Sequence, residues 1–210
     1  MPDRPARSEK EWGAALREIT RRDGTPSGAL REQGIVEAIP ELAALAETPQ
    51  DPGWHPEGDV LVHSLWAADL AAEHSDAHQL DPDHRELLVL AALLHDVGKP
   101  DTTARRKDGR LTSYGHAERG AEIVQSLGPR LGLPAELARP IAAIAGEHMA
   151  HVSAHGNPTR KAVRRLVIRL EREGATLDDW AVVVRCDGEA RGTAARPDAS
   201  EPWRRAAEQL

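Results

Sequence analysis

The sequence predicts an all-α fold, a bundle of helices around one buried central helix. Apolar residues recur at helical spacing through most of the 210-residue chain. Residues Leu87–Leu94 are apolar on every face, which predicts a helix buried on all sides. The one β-branched run, Val182–Val184, continues the apolar pattern of the residues before it. These features favour a helical bundle over a sheet-containing fold.

The first predicted helices are short. Glu9–Arg21 predicts a helix that a glycine- and proline-containing loop follows. Residues 28–47 predict two short helical pieces that break at Pro40, because a proline removes a helical hydrogen bond. Residues 48–57 contain three prolines and predict an extended connector.

Two longer helices follow the connector. Asp59 is predicted to cap a helix over Val60–Glu73. Asp83 is predicted to cap the next helix, which includes Leu87–Leu94. We expect Gly98 to end that helix in the left-handed conformation that glycine adopts readily.

The second half of the chain predicts a charged loop and then five helices. The loop covers residues 100–112, and a second loop covers residues 153–158. The predicted helices are His116–Leu127, 134–151, Thr159–Glu173, Leu177–Cys186 and a last one after Pro202.

The composition of the chain indicates which kinds of partner are not expected. The net charge is −7 and the pI about 5.8, so general electrostatic binding of a polynucleotide is not expected. No apolar stretch is long enough to span a membrane, so no membrane partner is expected. The one cysteine, Cys186, allows no internal disulfide, and we expect a cytoplasmic location.

Histidines and aspartates recur near the ends of the predicted apolar helices. Burying an imidazole or a carboxylate there is costly unless it is paired or binds a metal. Imidazole nitrogens and carboxylate oxygens are ligands of divalent Zn, Mn, Fe, Co and Ni. A neutral histidine hydrogen-bonded to a carboxylate is the alternative for an isolated pair. The residues concerned are His63, His95, Asp96, His116, His148 and Asp187.

The ordered pattern H…HD…H…H…D resembles the HD superfamily of metal-dependent phosphohydrolases. It is most similar to the HD domain at the C-terminal end of bacterial tRNA CCA-adding nucleotidyltransferases. The resemblance implies an HD-domain helical bundle over residues 30–192, with an N-terminal helical and loop extension (1–29) and a C-terminal extension helix (193–210). The segments that carry it are LREQGIVEAIPELAAL (30–45), WHPEGDVLVHSL (54–65), ALLHDVGKP (92–100), GHAERGAEIVQSLGPRLGLP (115–134), EH (147–148) and DGEARG (187–192).

The resemblance also implies a ligand set for one or two divalent ions, from Mn, Co, Ni, Fe, Mg or Zn. His116 and His148 match positions that hold a second metal or contact substrate phosphate. The metal would activate water for attack on phosphorus, and Asp96 would also orient that water. The residues implied for the first metal are His63, His95, Asp96 and Asp187.

Other polar residues are candidates for substrate contacts. Lys99 follows the HD pair and is placed to reach a phosphate oxygen, so it is a candidate catalytic and substrate-binding residue, and an ordinary exposed lysine is the alternative. HD-type 5′-nucleotidases carry an acidic residue at this position. Arg119 and Arg191 each lie one turn after a predicted ligand, and ordinary solvated arginines are the alternative. Trp54, His55 and Glu57 could form the lip of the pocket, with Trp54 stacking on a base, and packing of the connector onto the bundle is the alternative. The histidines assigned to the surface are His74, His78, His84, His151 and His155.

The predicted function is hydrolysis of a phosphomonoester, such as a nucleoside monophosphate or a related small molecule. A 2′,3′-cyclic nucleotide phosphodiesterase is the alternative reaction, and a nucleotide-sensing regulatory module without catalysis is the alternative class. No glycine-rich motif followed by paired aspartates precedes residue 30, so nucleotide addition is not expected. The sequence leaves the oligomeric state open.

Overall fold

The computed structural model describes residues 7–154 and 157–210, and these form twelve α-helices and one small antiparallel sheet. The sheet pairs β1 (Ala104–Arg105) with β2 (Leu111–Thr112), with Ala104 opposite Thr112. The all-α prediction is therefore confirmed. The helices are α1 Glu9–Arg21, α2 Ser27–Glu32, α3 Ile35–Ala38, α4 Pro40–Ala43, α5 Val60–Ala77, α6 Pro82–Leu94, α7 Lys99–Thr102, α8 His116–Leu131, α9 Ala135–Glu147, α10 Arg160–Arg172, α11 Leu177–Glu189 and α12 Glu201–Ala207.

Helix α6 is the centre of the bundle, as the apolar run predicts. Every residue from Leu88 to Leu94 is buried, and α6 packs against α1, α5, α9 and α11. The alanines of α5 and α6 leave little side-chain bulk between these two helices, which lets them pack closely. In the part of the chain that the structure describes, no helix is both long and apolar enough to cross a membrane.

One of the two predicted N-caps is correct. The Asp59 side chain accepts a hydrogen bond from the Val62 backbone N–H at 2.9 Å and caps α5. The predicted cap at Asp83 is wrong, because Asp81 caps α6 instead and accepts from two backbone N–H groups at 3.0 Å. Pro82 occupies the first helical position, where a missing N–H costs nothing, so α6 starts before Asp83.

The predicted loop over residues 100–112 is wrong in part, since it contains the end of α7 and both strands. Helix α11 extends three residues beyond the predicted end at Cys186, which places Asp187 in its last turn. Helix α9 continues into a 3₁₀ turn at His148–Ala154. The predicted loop over residues 153–158 and the predicted N-terminal extension each fall partly outside the described residues.

Gly98 does not adopt the predicted left-handed conformation, because its φ is −83°. Its role is steric. A Cβ at this position would lie 2.1 Å from the His116 carbonyl oxygen and 2.6 Å from the Gly120 backbone nitrogen. The glycine therefore lets the segment after α6 contact the backbone of α8 directly, which brings His116 next to the HD pair.

The Gly98→Ala substitution should destabilise the fold by about 1–3 kcal/mol, since the added methyl group must push α8 away. Gly28→Ala is the matched control: Gly28 lies within α2, its φ is not positive, and a Cβ there meets no atom within 4 Å. Urea denaturation of both variants measures the difference in the free energy of unfolding. Equal stability of the two variants would contradict the steric role of Gly98.

Candidate metal centre

All six predicted metal ligands lie together at the end of α6 that carries the HD pair. Three helices and two turns bring them there: α5, α8 and α11, with the turns that follow α6 and α9. Each of the six is buried, with at most 8% of its surface exposed. They are His63, His95, Asp96, His116, His148 and Asp187.

One group of ligand atoms faces Oδ2 of Asp96. His95 Nε2 lies 3.2 Å from this oxygen, and His63 Nε2 lies 3.7 Å from it. Asp187 Oδ1 closes the group at 3.1 Å from His63 Nε2 and 4.0 Å from His95 Nε2. Among the described residues, the ligand atoms of His63, His95 and Asp187 all lie within 4.8 Å of one another, and so do those of His95, Asp96 and His148, which are spacings that a metal ion can bridge.

A second group faces the other oxygen of the same carboxylate. Asp96 Oδ1 lies 3.3 Å from His116 Nε2 and 3.8 Å from His148 Nε2. The Nε2 atoms of these two histidines are 3.1 Å apart. Asp96 therefore stands between two sets of ligands and presents one oxygen to each.

Hydrogen bonds at the far side of each ring orient these imidazoles. Three of the Nδ1 atoms lie 2.7 Å from a backbone carbonyl oxygen, which can only accept, so each Nδ1 carries the proton. When the ring is neutral, its Nε2 atom therefore carries no proton, and the lone pair of Nε2 points into the centre. The pairs are His95 with Ala92, His116 with Ser113, and His148 with Ala145.

The donor set fits a divalent metal. Within the described residues, His95 Nε2 is buried without a hydrogen-bond partner. The lone pairs of His116 and His148 face each other at 3.1 Å, which is repulsive unless a cation lies near both. Imidazole nitrogens with carboxylate oxygens suit the borderline and hard divalent ions. The residues present therefore fit one ion in each group, or one ion shared around Asp96.

The ionisation states also suit metal binding. Burial raises the pKa of Asp96, but Lys99, His95 and His116 outweigh burial and hold this pKa well below its usual range. Burial likewise opposes ionisation of Asp187, while the hydrogen bond from His63 and the nearby His95 and Arg191 lower its pKa well below the usual range. Both carboxylates are therefore ionised at neutral pH.

Two of the histidines have shifted pKa values. Burial lowers the pKa of His148 to about 3, so its ring is neutral and ready to bind a metal. Burial also lowers the pKa of His63, but hydrogen bonds to Asp187 and Glu57 outweigh burial and raise it. A metal ion at His63 would therefore displace a proton, which makes binding weaker at low pH.

Glu57, which the sequence indicated only as a candidate for the pocket lip, contacts a predicted metal ligand. Its side chain is fully buried, and its Oε1 lies 2.8 Å from Nδ1 of His63 and 2.8 Å from Nδ1 of His55. The carboxylate thus fixes the ring of a metal ligand and links it to His55. The only sequence signal is an acidic residue in a proline-containing connector just before a ligand helix.

Two predicted substrate contacts lie beside the centre. Lys99 Nζ is 2.6 Å from Asp96 Oδ2 and 2.7 Å from Gln50 Oε1. Arg191 donates a hydrogen bond to Asp187 Oδ1 at 3.0 Å. Each buried carboxylate therefore has one cationic side chain of its own.

A cavity of about 740 Å³ opens beside the centre. Lys99, His116 and His55 line its inner part. Trp54 also lines it, with 55% of its surface exposed, and the Arg196 guanidinium lies 4.6 Å from the centroid of its ring. The cavity gives a small molecule access to the buried ligands.

Arg119 is the predicted substrate contact that the structure does not bring to this centre. Its guanidinium pairs with Asp101 at 2.6 Å and with Glu122 at 2.9 Å, and these three residues line a different cavity. These ion pairs hold it on the outer surface.

The histidines assigned to the surface are only partly there. His78 is exposed, whereas His74, His84 and His151 are half-buried, and His84 lies 2.7 Å from Asp179. His155 lies outside the described residues.

Comparison with known proteins identifies the family of the chain. The HD domain family matches residues 60–180, which is more than half of the chain. The chain belongs to the HD domain family, and the predicted resemblance is confirmed. This superfamily consists in general of metal-dependent phosphohydrolases.

Individual relatives are longer proteins. The chain is similar to a multifunctional CCA protein of Acidovorax sp. (strain JS42), 33% identical over 80% of this chain and 38% of the relative. A multifunctional CCA protein of Xanthomonas oryzae pv. oryzae is 29% identical over 92% of this chain and 45% of its own length. An A-adding tRNA nucleotidyltransferase of Deinococcus radiodurans is 42% identical over 42% of this chain and 21% of its own length. The chain thus spans less than half the length of these relatives.

The Glu57→Gln substitution should weaken metal binding by about 10- to 100-fold, as outer-shell substitutions at metal-binding histidines commonly do. The amide keeps the shape of the side chain but removes the charge that orients His63. Calorimetric titration with Mn²⁺ measures the affinity. Glu37→Gln, on an exposed residue of α3, is the control and should bind like the unchanged protein. Equal Mn²⁺ affinity of the two variants would show that Glu57 does not position the ligand.

Proposed function

We propose that this chain hydrolyses a phosphomonoester, such as a nucleoside monophosphate or a related small molecule, with one or two divalent metal ions. The observation that carries the proposal is the position of Asp96. Its two oxygens face two groups of buried ligands, and Lys99 contacts it from the cavity side. A phosphate group in the cavity would meet both the metal ligands and this ammonium group.

Asp96 and Lys99 would have separate roles in hydrolysis. A bound divalent ion supplies an acidified water and charge neutralisation for phosphoryl transfer. Asp96, ionised and fixed between the two groups, would orient the attacking water by accepting its proton in a hydrogen bond. Lys99 now pairs with Asp96 and Gln50, and a phosphate oxygen would compete for the same ammonium.

Other residues would bind and orient the substrate. Trp54 offers an exposed indole at the cavity wall, on which a base could stack. Arg191 holds Asp187 in place through its hydrogen bond and would keep that carboxylate turned toward His63. The size of the cavity, about 740 Å³, is within the range that accommodates small-molecule ligands.

The proposal predicts that Asp96→Ala lowers hydrolysis by about a thousandfold or more, because the variant loses a ligand of both groups. The assay compares adenosine 5′-monophosphate, its deoxy form and 2′,3′-cyclic AMP, with Mn²⁺, Co²⁺, Ni²⁺, Mg²⁺ and Zn²⁺ added in turn. Asp101→Ala, which removes an exposed carboxylate of α7, is the control and should retain activity. Activity that survives Asp96→Ala or a chelator would contradict the mechanism.

The substrate series also separates the alternatives. Turnover of the cyclic compound alone would indicate a phosphodiesterase in place of a phosphatase. Tight binding of a nucleotide without turnover, with any of the five metals, would indicate a sensing module and would overturn the enzymatic proposal.

A further inference from the structure

Helix α10 is strongly basic, although the chain as a whole is acidic. It contains six cationic residues and one acidic residue, in a protein of net charge −7. Its apolar side is buried in the bundle through Val163, Leu166 and Leu170. The cationic side chains are all on the exposed remainder of the helix: Arg160, Lys161, Arg164, Arg165, Arg169 and Arg172.

Most of this positive charge is not neutralised. Among the described residues, Arg169 alone of the six forms a salt bridge, with Glu147. Arginines elsewhere in the protein are commonly paired, as Arg17 is with Glu86 and Arg130 is with Glu9. The exposed face of α10 is therefore a local cationic surface, and the average charge of the chain conceals it.

This face leads into the cavity of the metal centre. Arg165 and Arg169 line the same cavity as Lys99 and His116. Two exposed aromatic residues also line it: Trp54 and Tyr114, with 55% and 76% of their surfaces accessible. Cations along a groove together with exposed aromatic rings are the features that bind single-stranded nucleic acids.

We propose that α10 is a docking surface for a single strand of nucleic acid whose terminal phosphate enters the cavity. The exposed arginines and Lys161 would contact backbone phosphates, and the two aromatic rings would stack on the terminal bases. The docking rests on the charge and placement of α10, while hydrolysis of the terminal phosphate rests on the proposed function. The small phosphate ester proposed above would then be the minimal form of the substrate.

A nucleic acid fits this surface better than an anionic membrane does. A helix that lies in a membrane inserts its apolar face into the lipid, whereas the apolar face of α10 is already packed in the bundle. Of the α10 side chains, Ile168 is the large hydrophobic one that remains exposed. The cationic row from Lys161 to Arg172 extends about 16 Å along the helix axis at the usual rise per residue, long enough to contact several phosphates.

The test measures binding of fluorescein-labelled single-stranded RNA and DNA 12-mers by anisotropy at several salt concentrations. The Lys161→Gln/Arg165→Gln double variant should bind at least about tenfold more weakly, and its salt dependence should decrease by about one phosphate contact per residue removed. Lys10→Gln/Arg31→Gln is the matched control: it removes the same charges from exposed residues of α1 and α2 and should bind like the unchanged protein.

Substitution of the aromatic residues tests the stacking. Trp54→Ala and Tyr114→Ala should each weaken binding by about tenfold or more. No binding of either 12-mer at low salt, or equal loss in the α10 variant and its control, would overturn the proposal. Binding of the chain to phosphatidylserine vesicles in place of the 12-mers would also overturn it, in favour of a membrane-facing surface.

The Asp96→Ala variant separates this proposal from the proposed function. It should lose hydrolysis and still bind the 12-mers, because α10 is unchanged. Salt-sensitive binding without hydrolysis by the unchanged protein would support the docking surface and contradict the enzymatic proposal. Hydrolysis of mononucleotides without any binding of the 12-mers would support the enzymatic proposal and contradict the docking surface.

Discussion

The position of the Asp96 carboxylate between two sets of imidazole lone pairs is the constraint on which the structure depends. Such a cluster is costly to bury, because lone pairs and carboxylates repel each other in a low dielectric. Lys99 and Arg191 reduce that cost by pairing with Asp96 and Asp187, respectively. Divalent ions at the same place would replace repulsion with coordination. The centre therefore makes physical sense as a site built for cations.

A small number of backbone and side-chain contacts orient the imidazole rings of the centre. His95, His116 and His148 each donate from Nδ1 to the carbonyl three residues earlier, so local backbone alone sets the direction of Nε2. His63 lies within a helix, where its neighbours' carbonyls are already used, and it relies on Glu57 from the connector instead. Gly98 adds the close approach of α8.

Much of the fold could be predicted from the sequence because it depends on local patterns, and the six His and Asp residues that the structure brings together were indicated by their order along the chain and by the resemblance to the HD family. Periodic apolar residues define helices, and a buried His-Asp pair at a helix end is conspicuous. The predictions that were wrong or incomplete concern residues whose roles depend on tertiary contacts. The sequence predicted Gly98 as a helix-ending turn residue, but a glycine is needed there because the backbone of α8 lies against it. Glu57 reaches His63 because of the path that the connector takes. Likewise, the ion pairs of Arg119 hold it away from the centre, and no spacing rule could reveal this.

The number and position of bound ions test the central claim most directly. Crystals grown with Mn²⁺ and measured at a wavelength where manganese scatters anomalously would locate each ion. We expect manganese beside Asp96: two peaks on either side of it if each ligand group holds an ion, one near His63, His95 and Asp187 and the other near His116 and His148, or a single peak if one ion is shared. No peak beside Asp96, with manganese bound elsewhere or not at all, would contradict a metal centre built around this carboxylate.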